Sequence, residues 1–200
     1  DDIFIQDPHP CYYVYKIVNR DGLEFDGIVA AASVSDYEND TIKKHEDTIA
    51  PREQIFKEYL KVVGFNTEPV LLTYPDSELI NSVLAETMKQ RPEYEFATAN
   101  RELHTLWKIC DDENVNKIRK EFGAMSKIYI ADGHHRSASS YLLAQESKDA
   151  NPDHTGEEPY NYFMSYLIAE SNLRIYEYSR LVTDLNGFSK EEFLIRLDEW

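Results

Sequence analysis

The chain has 200 residues, 42% apolar and 12% aromatic, enough to bury one sizeable core, so a single α/β domain over residues 1–200 is expected. Thirty-seven acidic against 21 basic residues give a formal charge of −16, a field that repels polyanions and sets DNA and RNA aside as partners. No run reaches the roughly 20 apolar residues that cross a bilayer, and Asp1-Asp2-Ile3-Phe4 lacks the basic and apolar segments of a signal peptide.

Cys11 and Cys110 are too few for a disulfide framework and lack a Cys-x-x-Cys spacing. They read as small buried apolar residues in a reducing, cytoplasmic setting. The chain starts without Met, directly before a strand-like run, and stops at Trp200 inside the amphipathic stretch Glu191-Glu192-Phe193-Leu194-Ile195-Arg196-Leu197. It reads as an internal fragment of a longer protein.

In chain order, Tyr12-Tyr13-Val14-Tyr15-Lys16-Ile17-Val18, the turn residues Arg20-Asp21-Gly22 and the apolar run Gly27 to Val34 predict a β-hairpin. The polar stretch from Ser35 to Pro51 reads as a loop feeding a helix marked by Ile55, Tyr59, Leu60, Val62 and Val63. Val70 to Tyr74 is a buried strand, and Leu79, Ile80, Val83 and Leu84 mark a second helix. Glu93 to Ala97 and Leu103 to Ile109 alternate like paired strands. Val115 to Phe122 fits a helix, Lys127 to Ala131 a buried strand, and Ala138, Tyr141, Leu142 and Leu143 the inward stripe of the next helix. Residues 147–160, rich in Asp, Glu, Asn, Pro and Gly, read as a flexible loop. Phe163 to Ile168 and Leu173 to Tyr178 supply two more strands. The sum is an α/β (α+β) fold with a mixed sheet and flanking helices, without an internal repeat.

Asp132-Gly133-His134-His135-Arg136 sits where a buried strand turns into a helix. A glycine there lets the backbone turn sharply, and the freed amides of the first helical turn favour an anion. Arg136 can grip a phosphate or carboxylate with two parallel hydrogen bonds, a histidine can move a proton near neutral pH, and Asp132 can hold a cation or orient a histidine. The bland alternative is an Asp cap, a Gly turn and solvated side chains. Adjacent residues diverge by about 100° on a helix, so His134 and His135 are poorly placed to share a metal, and none is assigned.

A second cluster, His45-Glu46-x-Thr48, offers a general base or a magnesium ligand, or else a solvated surface. It is not the His-Glu-x-x-His of zinc proteases, because position 49 is Ile49. Nucleophile-elbow, P-loop and dinucleotide-binding glycine patterns are also absent from the sequence. His104 and Trp107 fall on opposite faces of a strand and read as packing residues. Arg180 and Asp184 either support the anion site or form a surface pair.

From Tyr129-Ile130-Ala131 through Asp132-Gly133-His134-His135-Arg136 the chain resembles the bacterial and archaeal family called domain of unknown function 1015. The resemblance extends to Tyr12 to Tyr15, Gly27 to Val29, Ile42 to Thr48, His104 with Trp107, and Arg180 to Gly187. Family members look roughly twice as long. The Asp-Gly-His-His-Arg junction in turn is similar to the phosphate-binding corner of the ParB and sulfiredoxin fold, where free-serine kinases occur. That resemblance implies that Gly133, His134, His135 and Arg136 hold a phosphate beside Asp132, and that Glu46 stands in for the kinase carboxylate.

The expected function is phosphoryl transfer on a small metabolite such as serine or phosphoserine, with ATP or ADP and magnesium. Arg136 and the helix amides would stabilise the phosphoryl group, His134 or His135 would shuttle a proton, and Glu46 or Asp132 would activate the hydroxyl or bind magnesium, with His45 and Arg180 in support. The alternatives are a phosphatase, a non-enzymatic nucleotide or metabolite regulator, and a structural module in which Arg136 pairs with a protein carboxylate and faces no pocket.

Overall fold

In the computed structural model, which describes residues 6–177 and 179–198, β1 (Tyr12–Val18) and β2 (Glu24–Ser33) form the expected hairpin. The Asn19 side chain closes its turn by accepting from the amides of Asp21 and Leu23, both at 2.9 Å. Expectations placed on Asp1 to Phe4, Tyr178 and Trp200 lie outside the described residues.

α1 (Val34–Glu38), β3 (Ile42–Lys43), α2 (Ala50–Val63), β4 (Val70–Tyr74), α3 (Glu78–Thr87), β5 (Tyr94–Ala97), β6 (Leu103–Ile109) and α4 (Asp112–Ala124) follow. β7 (Ile128–Asp132), α5 (His134–Ala150), β8 (Tyr162–Ala169) and α6 (Lys190–Asp198) complete the chain. The strands make one mixed sheet, ordered β3-β7-β4-β8-β2-β1-β6-β5. β3 runs parallel to β7, and β4 runs parallel to β8 and antiparallel to β7.

Register decides which face is buried, because alternate residues of a strand point to opposite sides. Trp107 pairs with Val14, Val14 with Ile28, Ile28 with Leu167, Leu167 with Leu72, and Leu72 with Ile130. This row crosses six strands, and the buried residues of α1, α3, α4 and α5 join it in one core. The opposite face is aromatic. There the Tyr15 hydroxyl lies 2.6 Å from His104 Nδ1, and the Phe96 ring stacks on His104. His104 and Trp107 therefore stand on opposite faces, as the alternation requires. Gly27 belongs to this second face: a Cβ at position 27 would lie 2.3 Å from the Leu167 carbonyl oxygen and 2.8 Å from the Tyr166 ring. The Tyr166 ring crosses β2 at that point, and its hydroxyl donates toward the carbonyls of Tyr15 and Phe25.

Four expectations are corrected. Ser35 to Pro51 is not a plain loop: Ser33 accepts from the Ser35 amide to start α1, and Ile42 and Lys43 pair with Ile128 and Tyr129. A five-residue helix and a two-residue strand are too short to leave a periodic signal. The 147–160 segment is helical through Ala150, and its remainder is held by the Glu158 carboxylate, which accepts from the amides of Thr155 and Gly156 at 2.6 and 2.9 Å. Leu173 to Glu177 forms no strand, and Ile175 is 92% exposed. Both edges of β8 are already paired, so the following segment finds no edge beside β8 to join.

The fourth concerns the cysteines. Cys11 precedes β1, Cys110 follows β6, and Tyr12 pairs with Ile109, so the strand pairing sets the two residues opposite each other. They form a disulfide with Cα atoms 4.6 Å apart. They are not two buried apolar residues, and the argument they gave for a reducing compartment falls. No helix among the described residues is long and apolar enough to cross a membrane.

Two outcomes are expected. Thiol labelling of the unfolded, unreduced protein should modify neither cysteine, and a Cys11→Ser, Cys110→Ser double variant should lose roughly 2–4 kcal/mol in urea unfolding, since the bridge spans 99 residues of sequence. Free thiols in the native protein would contradict the pairing. Gly27→Ala should cost about 1–3 kcal/mol by overpacking against β8, and a neutral result would mean that the strands separate there more easily than the register implies.

Candidate active site

β7 ends at Asp132, and Gly133 turns the chain into α5 with φ 101°, a left-handed conformation that side chains with a Cβ rarely adopt. A Cβ on residue 133 would also lie 3.2 Å from Arg136 Cζ, because the guanidinium folds back over the glycine. The intrahelical ladder starts with the Ser137 amide on the Gly133 carbonyl at 3.0 Å, so the amides of residues 134–136 precede it.

Arg136 lies in the first turn of α5. Its Nη2 donates to Asp132 Oδ2 at 2.6 Å, Nη1 donates to the Pro69 carbonyl, and Glu68 Oε2 is 3.5 Å from Nη1. Pro69 is within reach because β4 lies beside β7, with Leu71 opposite Asp132. The sequence reading missed Glu68 and Pro69, since no local pattern shows that β4 and β7 are neighbours. The guanidinium also walls a cavity of ≈ 70 Å³ between α2 and α5, bordered by Phe56, Tyr59, Leu60, Ser139 and Ser140. Arg136 is thus both paired to protein carboxylates and open to a cavity. The purely structural alternative required the first and excluded the second.

The structure brings the two sequence clusters together. β3 runs beside β7 in the same direction, so the loop leaving β3 passes the end of β7 where α5 begins. His134, 4% exposed, accepts the His45 amide at Nε2 (3.4 Å), and its Nδ1 faces Glu46 Oε2 at 3.6 Å. The His45 and His134 rings meet edge to face at 4.4 Å. His135 accepts the Ile49 amide at Nε2 at 3.2 Å. Residues 44–49 therefore hang on two imidazoles from one helical turn. An acceptor at Nε2 requires the neutral ring to carry its proton on Nδ1, which points that proton of His134 at Glu46. Thr48 donates to Glu53 to start α2, and the Ser139 hydroxyl bridges the carbonyls of Glu53 and His135 at 3.0 and 2.6 Å.

Burial is the main force lowering the His134 pKa below its ordinary value; His45 and His135 push the same way, while Glu46 and Asp132 oppose. Glu46 and Asp132 are exposed carboxylates, 63% and 71% by side chain. Both are able to face a ligand. Arg180 and Asp184 lie in the irregular, exposed segment after β8. Among the described residues, no group of three or more His, Cys, Asp or Glu side chains has the geometry of a metal centre.

The fold and site thus define an α/β protein with one mixed sheet and a strand-Gly-helix corner faced by a carboxylate-histidine loop. The chain belongs to the family described as Protein of unknown function (DUF1015), whose match covers residues 1–200. No curated protein and no solved structure matches it significantly.

Acidification should release the 44–49 loop. A histidine with a lowered folded-state pKa binds fewer protons folded than unfolded, so its stabilising effect is complete above the ordinary value of 6.5 and is lost as the pH falls through and below it. A protonated His134 has no acceptor for the His45 amide. Hydrogen exchange should find the His45 and Ile49 amides protected at pH 7.5 and the His45 amide increasingly open toward pH 5, after correction for intrinsic rates. Amides unprotected at pH 7.5 would contradict the clasp.

Proposed function

We propose that this chain binds a small phosphate-bearing metabolite at the start of α5 and carries out phosphoryl transfer on a metabolite hydroxyl, serine-like in size, with a nucleotide as the second ligand. The observation that carries this reading is the meeting of Glu46, in the loop after β3, with His134, at the start of α5, far apart in sequence. In it Glu46 is the general base that accepts the hydroxyl proton, and His134 positions it through Nδ1–H. His135 anchors the loop through Ile49, and His45 caps His134. The amides of residues 134–136 and Arg136 receive the phosphate, the role that a resemblance of the Asp132 to Arg136 sequence to the ParB and sulfiredoxin corner and to free-serine kinases would imply.

Phosphate must compete at Arg136 with Asp132 and Glu68. Magnesium carried by ATP or ADP would offset that charge, and Asp132 and Glu46 are oxygen donors of the type it takes. A cytoplasmic setting suits a nucleotide ligand, although the Cys11–Cys110 bridge argues for an oxidising one. A non-catalytic metabolite or nucleotide sensor is the second reading. It is favoured by the engagement of both Nε2 atoms with backbone amides, which leaves neither free to shuttle a proton.

Incubation with ATP, magnesium and a panel of small hydroxyl metabolites, read by phosphate transfer, separates the readings. Glu46→Gln should lower kcat by about 10²–10⁴ while ligand binding persists. Arg136→Ala should weaken phosphate-containing ligands by roughly one to two orders of magnitude. It should also cost about 1 kcal/mol of stability, because the Pro69 carbonyl loses its donor. Binding without turnover on any panel member would favour the sensor, and turnover indifferent to Glu46→Gln would remove Glu46 from the chemistry.

A further inference from the structure

The cavity beside Arg136 has an unusual origin. Two packed helices normally interdigitate their side chains, yet α2 has no buried residue. Its contact with α5 is made by Lys57 and Lys61 on Glu146 and by the Ser139 hydroxyl on the Glu53 carbonyl. Phe56, Tyr59 and Leu60 face Ser139 and Ser140, whose small side chains leave the space unfilled. Apolar walls that face a gap forfeit dispersion contacts that a ligand group would restore.

We propose that this cavity is an apolar subsite for the ligand whose anionic end meets Arg136, which makes that ligand a small phosphate ester with a branched aliphatic group of about three or four carbons. The assignment rests on the anion-binding role of Arg136 proposed above and adds the class of molecule attached to the anion. Size supports it. A cavity that admits benzene is about 150 Å³, and this one, at ≈ 70 Å³, is too small for an aromatic ring or a nucleobase but accommodates an isopropyl or isobutyl group. Charge supports it too: one wall is the Arg136 guanidinium, its side chain 25% exposed. Glu68 is 71% exposed at 3.5 Å, a loose partner that an incoming anion displaces. The Tyr59 hydroxyl on Thr67 at 3.2 Å gives the cavity a polar rim. A nucleotide at the same corner would direct its base away from α2.

Isothermal titration of the protein with inorganic phosphate, isobutyl phosphate and AMP tests this. Isobutyl phosphate should bind on the order of tenfold more tightly than inorganic phosphate, the gain from burying about two methylene equivalents. Ser140→Leu, which fills the cavity, should bring the two to parity without changing inorganic phosphate. Because Ser140 is buried, Phe56→Ala on the more exposed wall is the companion variant and should shrink the same preference, with circular dichroism confirming the fold. Equal affinities for the two phosphates in the unsubstituted protein would overturn the subsite and leave the anion site standing. A preference that survives both variants would place the alkyl group elsewhere and overturn it as well. Preferential binding of AMP that Ser140→Leu abolishes would replace the aliphatic ligand by a nucleoside. Absence of binding by any of the three would overturn the anion site and the subsite together.

Discussion

β7 is held by two neighbours of different origin, β3 on one side and β4 on the other, and the geometry of the site follows from that arrangement. The parallel partner β3 delivers the loop that carries His45 and Glu46. The antiparallel partner β4 delivers Pro69, whose carbonyl fixes the Arg136 guanidinium. Gly133 then turns the chain into α5 in a left-handed conformation and, having no Cβ, leaves room for the Arg136 guanidinium to fold back over it. Two residues of β3 are a small pairing to depend on. The two imidazole-amide hydrogen bonds add to it, and the loop is fixed by β3 at one end and by the start of α2 at the other.

The electrostatics at this corner differ from those of a simple phosphate cradle. Arg136 faces Asp132 and Glu68, and Glu46 approaches from the opposite loop. The protein as a whole carries a formal charge of −16. An anion approaching such a surface is repelled at long range and gains only on contact, when the guanidinium and the helix amides are within hydrogen-bonding distance. A phosphate that arrives neutralised by a divalent cation avoids most of that cost. Under the phosphate-binding reading proposed above, the same charges would favour a small, partly neutralised phosphate over a polyanion.

The local parts of the fold were legible in the sequence. Alternating aromatics and a turn motif marked the β1–β2 hairpin, an apolar run before a glycine marked β7 and α5, and paired alternation marked β5 and β6. The Asp132 to Arg136 junction was found because its signal is local as well. Features that depend on a distant partner were not legible. Ile42 and Lys43 form a strand only because β7 lies beside them, and Cys11 meets Cys110 only because β1 pairs with β6. Leu173 to Glu177 has strand-like residues but follows β8, both edges of which are already paired. The orientation of His134 and His135 toward the 44–49 loop, and the gap opposite Ser139 and Ser140, are likewise products of packing between elements that leave no trace in residue spacing.

The disulfide closes residues 11–110 into a ring that contains β1 to β6 and the first three helices, while α4, β7, α5 and β8 lie on the tail beyond it. The candidate site is divided by this boundary: His45, Glu46 and Pro69 belong to the ring, and Asp132 to Arg136 to the tail. A covalent ring lowers the entropy of the unfolded chain only among the residues that it encloses. The crosslink therefore gives the Glu46–His134 meeting no direct entropic help, and that contact rests on the strand pairs that join tail to ring, β7 on β3 and β4 and β8 on β2 and β4. Under strain β2, β1, β6 and β5 can stay paired inside the ring while the tail detaches and β3 and β4, which pair only with tail strands, come away with it, so loss of the site can precede loss of that half of the sheet.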